Sequence, residues 1–158
     1  MNKSGTKINK DVAYTIEHWC VMAQIFCREF KRELFDLWAD YSPQGKKVFN
    51  YYKVFEAVDE NGIVIGVLLM HGLEIDFIAI DENYRKQGIG TELLETAFDS
   101  LNVVSSSSKV ECSVRTENIA SLNMFIKNGF SIEHLSKDAY GEGKDGFRLS
   151  RTIKQENE

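Results

Sequence analysis

The sequence is short of features that define several protein classes. Its three cysteines, Cys20, Cys27 and Cys112, lack the spacing of metal ligands, so we interpret them as small buried apolar residues rather than a zinc site or a disulfide framework. No stretch approaches the roughly 18 uninterrupted apolar residues of a membrane span. Residues 1–5 also lack the apolar segment of a signal peptide. We therefore predict a cytoplasmic protein with no membrane association and no bound metal.

A surplus of basic residues is also missing. The formal net charge of −5 excludes a general nucleic-acid-binding protein, because neutralising phosphates requires excess Lys and Arg. Such a charge is compatible with a cationic partner, whereas an anionic ligand would need a local pocket of cations or backbone amides. With 158 residues and 43% hydrophobic residues, the chain fits a single domain, 1–158. Within it we distinguish a helical region at 9–45, a core at 53–153 and a frayed tail at 154–158.

Apolar spacing predicts the elements of the first half. Three- and four-residue steps from about residue 12 to 41 predict a long amphipathic helix, ended by Pro43 and Gly45. Alternating residues then predict a hairpin whose turn is Asn61-Gly62, a pair in which both positions favour positive φ. Its second strand spans 63–70, and a third strand spans 73–80.

The second half alternates helices and strands. A helix begins at Ile89, a strand covers 110–114, and a short helix runs from the N-cap Asn118 to Gly129 at its C′ position. Strands at 130–134 and 147–153 flank a glycine-rich loop. The predicted order is helix, three strands, helix, strand, helix and two strands. This order predicts an α/β fold with a mixed central sheet flanked by helices.

The most informative stretch joins the third strand to the following helix. Gly88 and Gly90 lack a Cβ and let backbone amides approach a ligand closely. The first turn of a helix adds unpaired N–H groups and partial positive charge, and Arg85 and Lys86 add full charges. The pattern predicts a pyrophosphate-binding loop, with a tight helix entry as the plain structural alternative. A Rossmann fingerprint is disfavoured because Leu93 stands where a third glycine belongs.

This stretch resembles the signature of the GNAT family of N-acetyltransferases. That signature is Arg or Gln, two residues, Gly, one residue, then Gly or Ala, and the segment from Arg85 to Gly90 matches it directly after the strand Ile78-Ala79-Ile80. A second family element, Asn118 and Ser121 followed by Gly129-Phe130, lies downstream in the expected order. The resemblance implies a single-domain GNAT-like fold with a mixed, mostly antiparallel sheet.

The resemblance also implies a co-substrate and its binding residues. Acetyl-CoA would lie where the third strand splays from the strand at 110–114, with pantetheine paired to backbone and Asn118 and Ser121 near the pantetheine or phosphates. Phe125 stands where many relatives have a tyrosine that acts as general acid. The implied cofactor-binding residues are Ile78, Ala79, Ile80, Arg85, Lys86, Gln87, Gly88, Ile89, Gly90, Thr91, Asn118, Ser121 and Phe125.

The catalytic candidates follow from the chemistry of amine acetylation. A protonated amine of pKa about 10.4 needs a base. Glu74, on a strand similar to that of histone acetyltransferases, is the first candidate and Asp76 the second, with a solvated edge carboxylate as the alternative. Phe125 cannot donate a proton, so Tyr140 in the glycine-rich loop is a substitute acid or simply a surface tyrosine. Ser113 replaces a glutamate of the ribosomal-protein N-acetyltransferase branch, which disfavours that branch.

Two functions remain open from the sequence. The first is an N-acetyltransferase acting on a primary amine of a small molecule, an amino acid, or a peptide or protein. The second is a catalytically weak acyl-CoA-binding sensor or partner-binding module. Either is compatible with a monomer or a homodimer. Relatives usually begin with a strand, for which Lys7-Ile8 and Tyr14-Thr15-Ile16 are poor candidates here, so the long helix is expected to come first.

Overall fold

A computed structural model describes residues 5–10, 12–13, 18, 21, 53–101 and 108–153. The long helix predicted for 12–41 therefore lies, apart from 12–13, 18 and 21, outside the described residues, as do most of the linker before the fifth strand and the predicted tail. The described elements are β1 (Lys7–Lys10), β2 (Lys53–Val58), β3 (Val64–His71), β4 (Glu74–Ile80), a 3₁₀ helix (Glu82–Tyr84), α1 (Ile89–Asp99), β5 (Lys109–Arg115), α2 (Ile119–Lys127), β6 (Ser131–Ser136) and β7 (Gly146–Thr152).

The strands form one mixed sheet of order β1-β2-β3-β4-β5-β7-β6. The pairs β1–β2, β2–β3, β5–β7 and β6–β7 are antiparallel, and β4–β5 is parallel. The predicted fold class, a mixed and mostly antiparallel sheet with helices, is confirmed.

Two compact units can be distinguished in the chain. The first unit comprises Met1–Gly72 and Phe77–Asp99, and the second comprises Leu73–Asp76 and Ser100–Glu158. Strand β4 contributes its first half to the second unit and its second half to the first. The assignment of residues 1–158 to one domain stays a prediction.

The core of the first unit is built on β3. Residues 65–70 are buried without interruption, which is typical of a strand covered on both faces. Helix α1 packs on β2 and β3 and buries Ile89, Leu93, Leu94 and Ala97, the stripe that its three- and four-residue spacing predicts. Gly66 gives β3 a close approach to β4, because a Cβ there would lie 2.9 Å from Cδ1 of Ile80 and that side chain would have to shift.

The core of the second unit lies on one face of β5 and β7. Val110, Cys112 and Val114 alternate as buried residues, and Leu149 on β7 pairs with Cys112. Burial raises the pKa of the Cys112 thiol to about 12. The interpretation of Cys112 as a core residue is confirmed.

The first strand corrects the expected element order. Residues Lys7–Lys10 pair with β2 in antiparallel register, and Asn9 donates from Nδ2 to Oε1 of Glu56 at 2.8 Å. The prediction that Lys7-Ile8 is not a strand, and that a helix comes first, is wrong. Four residues flanked by lysines carry too little alternation to signal an edge strand.

The β2–β3 hairpin lies where the sequence predicts it, but its turn differs. Gly62 has φ 79°, whereas the φ of Asn61 is negative. The prediction that both residues have positive φ is therefore wrong. The Gly62 amide donates to the carbonyl of Asp59 at 3.0 Å. Asp59 Oδ1 also accepts from the amides of Asn61 and Ile63, each at 2.9 Å. The aspartate side chain thus selects a type I turn followed by a left-handed glycine.

The predicted boundaries of α2 are confirmed. Asn118 is the N-cap, and its side chain accepts from the Ser121 amide at 3.2 Å. Gly129 follows the helix with φ 84°, as expected at C′. Gly146, expected in the glycine-rich loop, instead begins β7 and is buried.

Candidate functional site

The glycine-containing loop follows β4 through a capped 3₁₀ turn. The Asp81 amide donates to the carbonyl of Ile65 on β3 at 2.8 Å, which fixes the end of β4 against its neighbour. The Asp81 side chain then caps the 3₁₀ helix by accepting from the Asn83 amide at 2.9 Å. Loop 85–88 follows, and α1 begins at Ile89.

A second anchor joins this turn to the β2–β3 hairpin. The Tyr84 hydroxyl donates to Oδ2 of Asp59 at 3.3 Å. The hydrogen bond from the Ile63 amide is the largest cause of the lowered pKa of Asp59, and desolvation is the largest cause of the raised pKa of Tyr84. The 3₁₀ turn is therefore held at both ends before the chain enters the loop.

Arg85 and Gln87 fold back on the preceding backbone. Arg85 Nε donates to the carbonyl of Ile80 at 3.1 Å, and Gln87 Nε2 donates to the carbonyl of Asn83 at 3.4 Å. Arg85 therefore braces the loop against β4, a role that the sequence analysis did not assign to it.

The two glycines of the motif have different conformations. Gly88 has φ 87° and is exposed, and no described residue other than its chain neighbours has an atom within 4 Å of the place where a Cβ would stand. Gly90 lies in the first turn of α1. Lys86 has φ 60°, a left-handed conformation that is uncommon for a residue with a side chain. The loop thus contains two left-handed residues in three positions.

The entry to α1 presents backbone donors. The Glu92 amide donates to the carbonyl of Gly88 at 3.0 Å, so Gly88 closes the first helical turn. The amides of Ile89, Gly90 and Thr91 precede the first residue that has an acceptor within the helix. These N–H groups and the helix dipole favour an anion at this end.

In the second unit, Glu74 belongs to an ion-pair cluster. Arg148 on β7 donates from Nη1 to Oε1 of Glu74 at 2.6 Å and from Nη2 to Oε2 of Glu111 at 2.9 Å. Its Nη1 also donates to the Ser113 hydroxyl at 3.1 Å. The hydrogen bond to Glu74 is the largest cause of the raised pKa of Arg148. Sequence reasoning missed Arg148 and Glu111; the one available signal was that Glu111 and Ser113 lie on the polar phase of β5.

The rest of β4 alternates as expected for a strand in a sheet. Asp76 is exposed and lies on the same face as Glu74, two residues earlier. Ala79 is buried, and Ile78 and Ile80 are half-buried. The binding role of these three residues and the catalytic role of Asp76 stay predictions.

Tyr140 is held in place by two neighbours in the second unit. The guanidinium carbon of Arg115 lies 4.8 Å from the centre of the Tyr140 ring. A Cβ on Gly146 would lie 2.7 Å from the Tyr140 ring atom Cε2, so this glycine makes room for the ring. Desolvation is the largest cause of the raised pKa of Tyr140. Tyr140 is half-buried, and its role as a substitute acid stays a prediction.

The predicted cofactor residues of α2 have structural partners. Asn118 and the Ser121 amide form the helix cap. Phe125 is 3% exposed, and its ring meets that of Phe130 edge-on with centroids 5.0 Å apart. Contact of Asn118, Ser121 and Phe125 with a cofactor stays a prediction.

The described residues contain neither a metal-binding cluster nor a membrane-spanning helix. Within them, no group of three or more His, Cys, Asp or Glu side chains is arranged to hold a metal ion. The helices of this part of the chain are also too short or too polar to span a membrane.

Comparisons with known proteins agree with the fold. The sequence pattern of the acetyltransferase (GNAT) family matches residues 17–130. An N-alpha-acetyltransferase of Sulfurisphaera tokodaii is 32% identical over 76 residues, which cover 48% of this chain and 46% of that protein. The chain spans about half the length of the curated relatives it matches.

Solved structures of similar fold include two acetyltransferases. The ribosomal-protein-S18-alanine N-acetyltransferase of Escherichia coli has a TM-score of 0.68 at 19% identity, with 97% of each chain covered. A GNAT family acetyltransferase of Elizabethkingia anophelis with acetyl-CoA bound has a TM-score of 0.68 at 20% identity, covering 96% of this chain and all of that one. At 19% and 20% identity, the structural similarity is evidence for a shared fold alone.

A strand, a left-handed glycine loop and a helix entry form an arrangement in which the helix N-terminus of an α/β protein favours an anion. The chain belongs to the GNAT acetyltransferase family.

Proposed function

We propose that the chain is an acetyl-CoA-dependent N-acetyltransferase that transfers an acetyl group to a primary amine. The observation that supports this most directly is the exposed Gly88, left-handed and immediately before α1. Apart from its chain neighbours, no described residue has an atom within 4 Å of its Cβ position. A diphosphate can approach the backbone closely at such a place, which a side chain would obstruct.

The loop residues supply the attraction for the cofactor. Backbone amides from Gly88 to Thr91 are suited to donate to the pyrophosphate, and the Lys86 ammonium adds charge. Arg85 stabilises the conformation of the loop through its hydrogen bond to the carbonyl of Ile80. Ile78, Ala79 and Ile80 would pair with the pantetheine as an added strand does. The acetyl-CoA-bound relative from Elizabethkingia anophelis supports the choice of co-substrate.

The reaction forms one bond and breaks one. The neutral amine attacks the thioester carbonyl, the new N–C bond forms, and the C–S bond breaks to release a thiolate. Amides of β4 near Ile78 are candidates to stabilise the oxyanion. Glu74, or Asp76 two residues further along the strand, accepts the proton that the amine loses. The thiolate, whose pKa is about 8.5, leaves readily and takes a proton from solvent or from Tyr140.

The acceptor is the finer part of the proposal. The name of the Sulfurisphaera tokodaii relative, N-alpha-acetyltransferase, favours an α-amino group of a peptide or protein. Small amines and free amino acids remain the other acceptors to be tested. We place the enzyme in the cytoplasm as a monomer or homodimer, without nucleic acid, membrane or metal in its reaction.

The test is thiol release from acetyl-CoA with a panel of amines. The panel holds peptides with free α-amino groups, the same peptides with blocked α-amino groups and a lysine side chain, free amino acids and polyamines. Release with free α-amino peptides above the blocked controls supports the α-amino proposal. Thiol release with lysine or small amines alone would support the acetyltransferase proposal and contradict the α-amino group as acceptor.

A second function, an acyl-CoA-binding sensor, is favoured by one observation. Phe125 stands where many relatives have a tyrosine that acts as general acid. Its ring is buried against Phe130 and has no hydroxyl proton to donate. Saturable acetyl-CoA binding without thiol release on any amine would support the sensor and contradict the enzyme.

A further inference from the structure

One arginine connects the candidate base to the rest of the second unit. Glu74 on β4 and Glu111 on β5 are register partners in the parallel pair, so their side chains lie side by side on one face. Arg148 on β7 reaches both, through Nη1 at 2.6 Å and Nη2 at 2.9 Å. Like charges directly opposite each other on neighbouring strands repel, and the guanidinium between them removes that cost.

The bridge fixes the conformation of Glu74. Its side chain is 43% exposed, and a glutamate with that freedom would sample several rotamers. Arg148 is 22% exposed and is held by the Glu111 carboxylate and the Ser113 hydroxyl. Because its Nη1 binds Oε1 of Glu74, one carboxylate oxygen is held while Oε2 receives no hydrogen bond among the described residues.

We propose that Arg148 is a positioning residue that aims the second carboxylate oxygen of Glu74 at the acceptor amine. This inference rests on the proposed function. Arg148 itself takes no proton, since its guanidinium stays charged. Its contribution is to hold Glu74 in one orientation, with Glu111 and Ser113 as the supports of the guanidinium.

The test is a kinetic cycle built from Arg148→Met, Glu74→Gln and the double variant. Arg148→Met should lower kcat by about ten- to a hundredfold, because misplacing a reacting group by about 1 Å has effects of this size. Glu74→Gln should lower kcat by at least as much, because it removes the base. The KM for acetyl-CoA should change little, since these residues are not assigned to the cofactor. The double variant should be no slower than Glu74→Gln alone. Multiplicative losses would show that Arg148 acts independently of Glu74, and would overturn the proposal.

A third substitution, Glu111→Gln, separates an effect on fold stability from an effect on the position of Glu74. Arg148→Met leaves Glu74 and Glu111 facing each other, and adding Glu111→Gln removes that repulsion. The melting temperature should recover in Arg148→Met/Glu111→Gln while kcat stays low. Recovery of kcat together with the melting temperature would show that Arg148 acts through stability alone, and would overturn the positioning role.

A matched control and the wild-type chain complete the experiment. Lys109→Met breaks the Lys109–Glu133 ion pair in the same unit and should leave kcat unchanged. Loss of kcat there would show that any broken ion pair in this sheet impairs the enzyme, which contradicts a specific role for Arg148. A wild-type chain that releases no thiol with any amine would overturn the proposed function, and this inference with it. If the wild-type chain is active and the effects of Arg148→Met and Glu74→Gln on kcat multiply in the double variant, the inference alone is overturned.

Discussion

Arg85 donates from Nε to the main-chain carbonyl of Ile80 at 3.1 Å, joining the first residue of the motif to the last residue of β4. The bond bridges the 3₁₀ turn between them. The arginine of the motif thus acts on the shape of the loop, and its charge is only part of its contribution.

Arg85→Lys separates shape from charge. Lysine keeps the positive charge but has no donor equivalent to Nε, so the brace to Ile80 is lost. Loss of one such hydrogen bond corresponds to about 1 kcal/mol. We therefore expect CoA affinity, measured by isothermal titration calorimetry, to fall about fivefold. Unchanged affinity in the lysine variant would show that charge alone matters at Arg85.

Lys86 stores strain in the loop, and glycine should relieve it. A non-glycine residue at positive φ costs roughly 1–2 kcal/mol. Lys86→Gly should therefore melt about 2–8 °C above Lys86→Ala, which lacks the same ammonium but keeps the strained backbone. Both variants should bind CoA more weakly than the wild type, because both lack the charge. Equal melting temperatures, measured by calorimetry, would contradict the left-handed conformation at Lys86.

The buried Cys112 thiol should make stability fall at high pH. Its pKa is raised by burial from the ordinary value of 9.0 to about 12, so the unfolded chain releases this proton first as pH rises. The stabilisation is present in full below pH 9 and is lost progressively towards pH 12. Unfolding by urea across this range should show a smaller decline for Cys112→Ala than for the wild type. Parallel declines would contradict the assigned burial.

Tyr140→Phe isolates the hydroxyl from the ring. Phenylalanine keeps the contacts with Arg115 and Gly146, so the melting temperature should stay within about 1 °C of the wild type. The hydroxyl is protonated at neutral pH, as a proton donor requires, because the ordinary pKa of 10.0 already lies well above neutrality and burial raises it further. If Tyr140 protonates the leaving thiolate, kcat should fall about tenfold or more. Solvent can also protonate a thiolate, which is a good leaving group, so the loss should lie at the low end for removal of a general acid. An unchanged kcat would remove Tyr140 as the acid.

The sequence predicted the strands and helices of residues 53–153 because their signals are local. Alternation in β5, the apolar spacing of α1 and the cap at Asn118 each depend on neighbouring residues. The type of the β2–β3 turn was wrong because the Asp59 side chain outcompeted the preference of Asn61. Strand β1 was missed because a four-residue edge strand is defined by its partner β2 rather than by its own pattern.

The candidate site divides in the same way. The glycine loop is a contiguous motif, so its residues and its position before α1 were predictable. The bridge from Arg148 to Glu74 joins residues 74 positions apart, and it depends on the strand order β4-β5-β7. No local pattern in a single sequence specifies that order. The brace from Arg85 to Ile80 was also missed, because the composition of the motif suggested charge and not geometry.

The most direct measurement is CoA binding to Gly88→Asp, with Gly62→Asp as its control. Both glycines are exposed and left-handed, and among the described residues neither has an atom beyond its chain neighbours within 4 Å of a Cβ position. The two changes therefore carry the same strain and the same added charge. Calorimetry should show wild-type affinity for Gly62→Asp and a loss of about a hundredfold or more for Gly88→Asp, in which a carboxylate meets the pyrophosphate. Equal affinities in the two variants would contradict the assignment of the cofactor to the loop before α1.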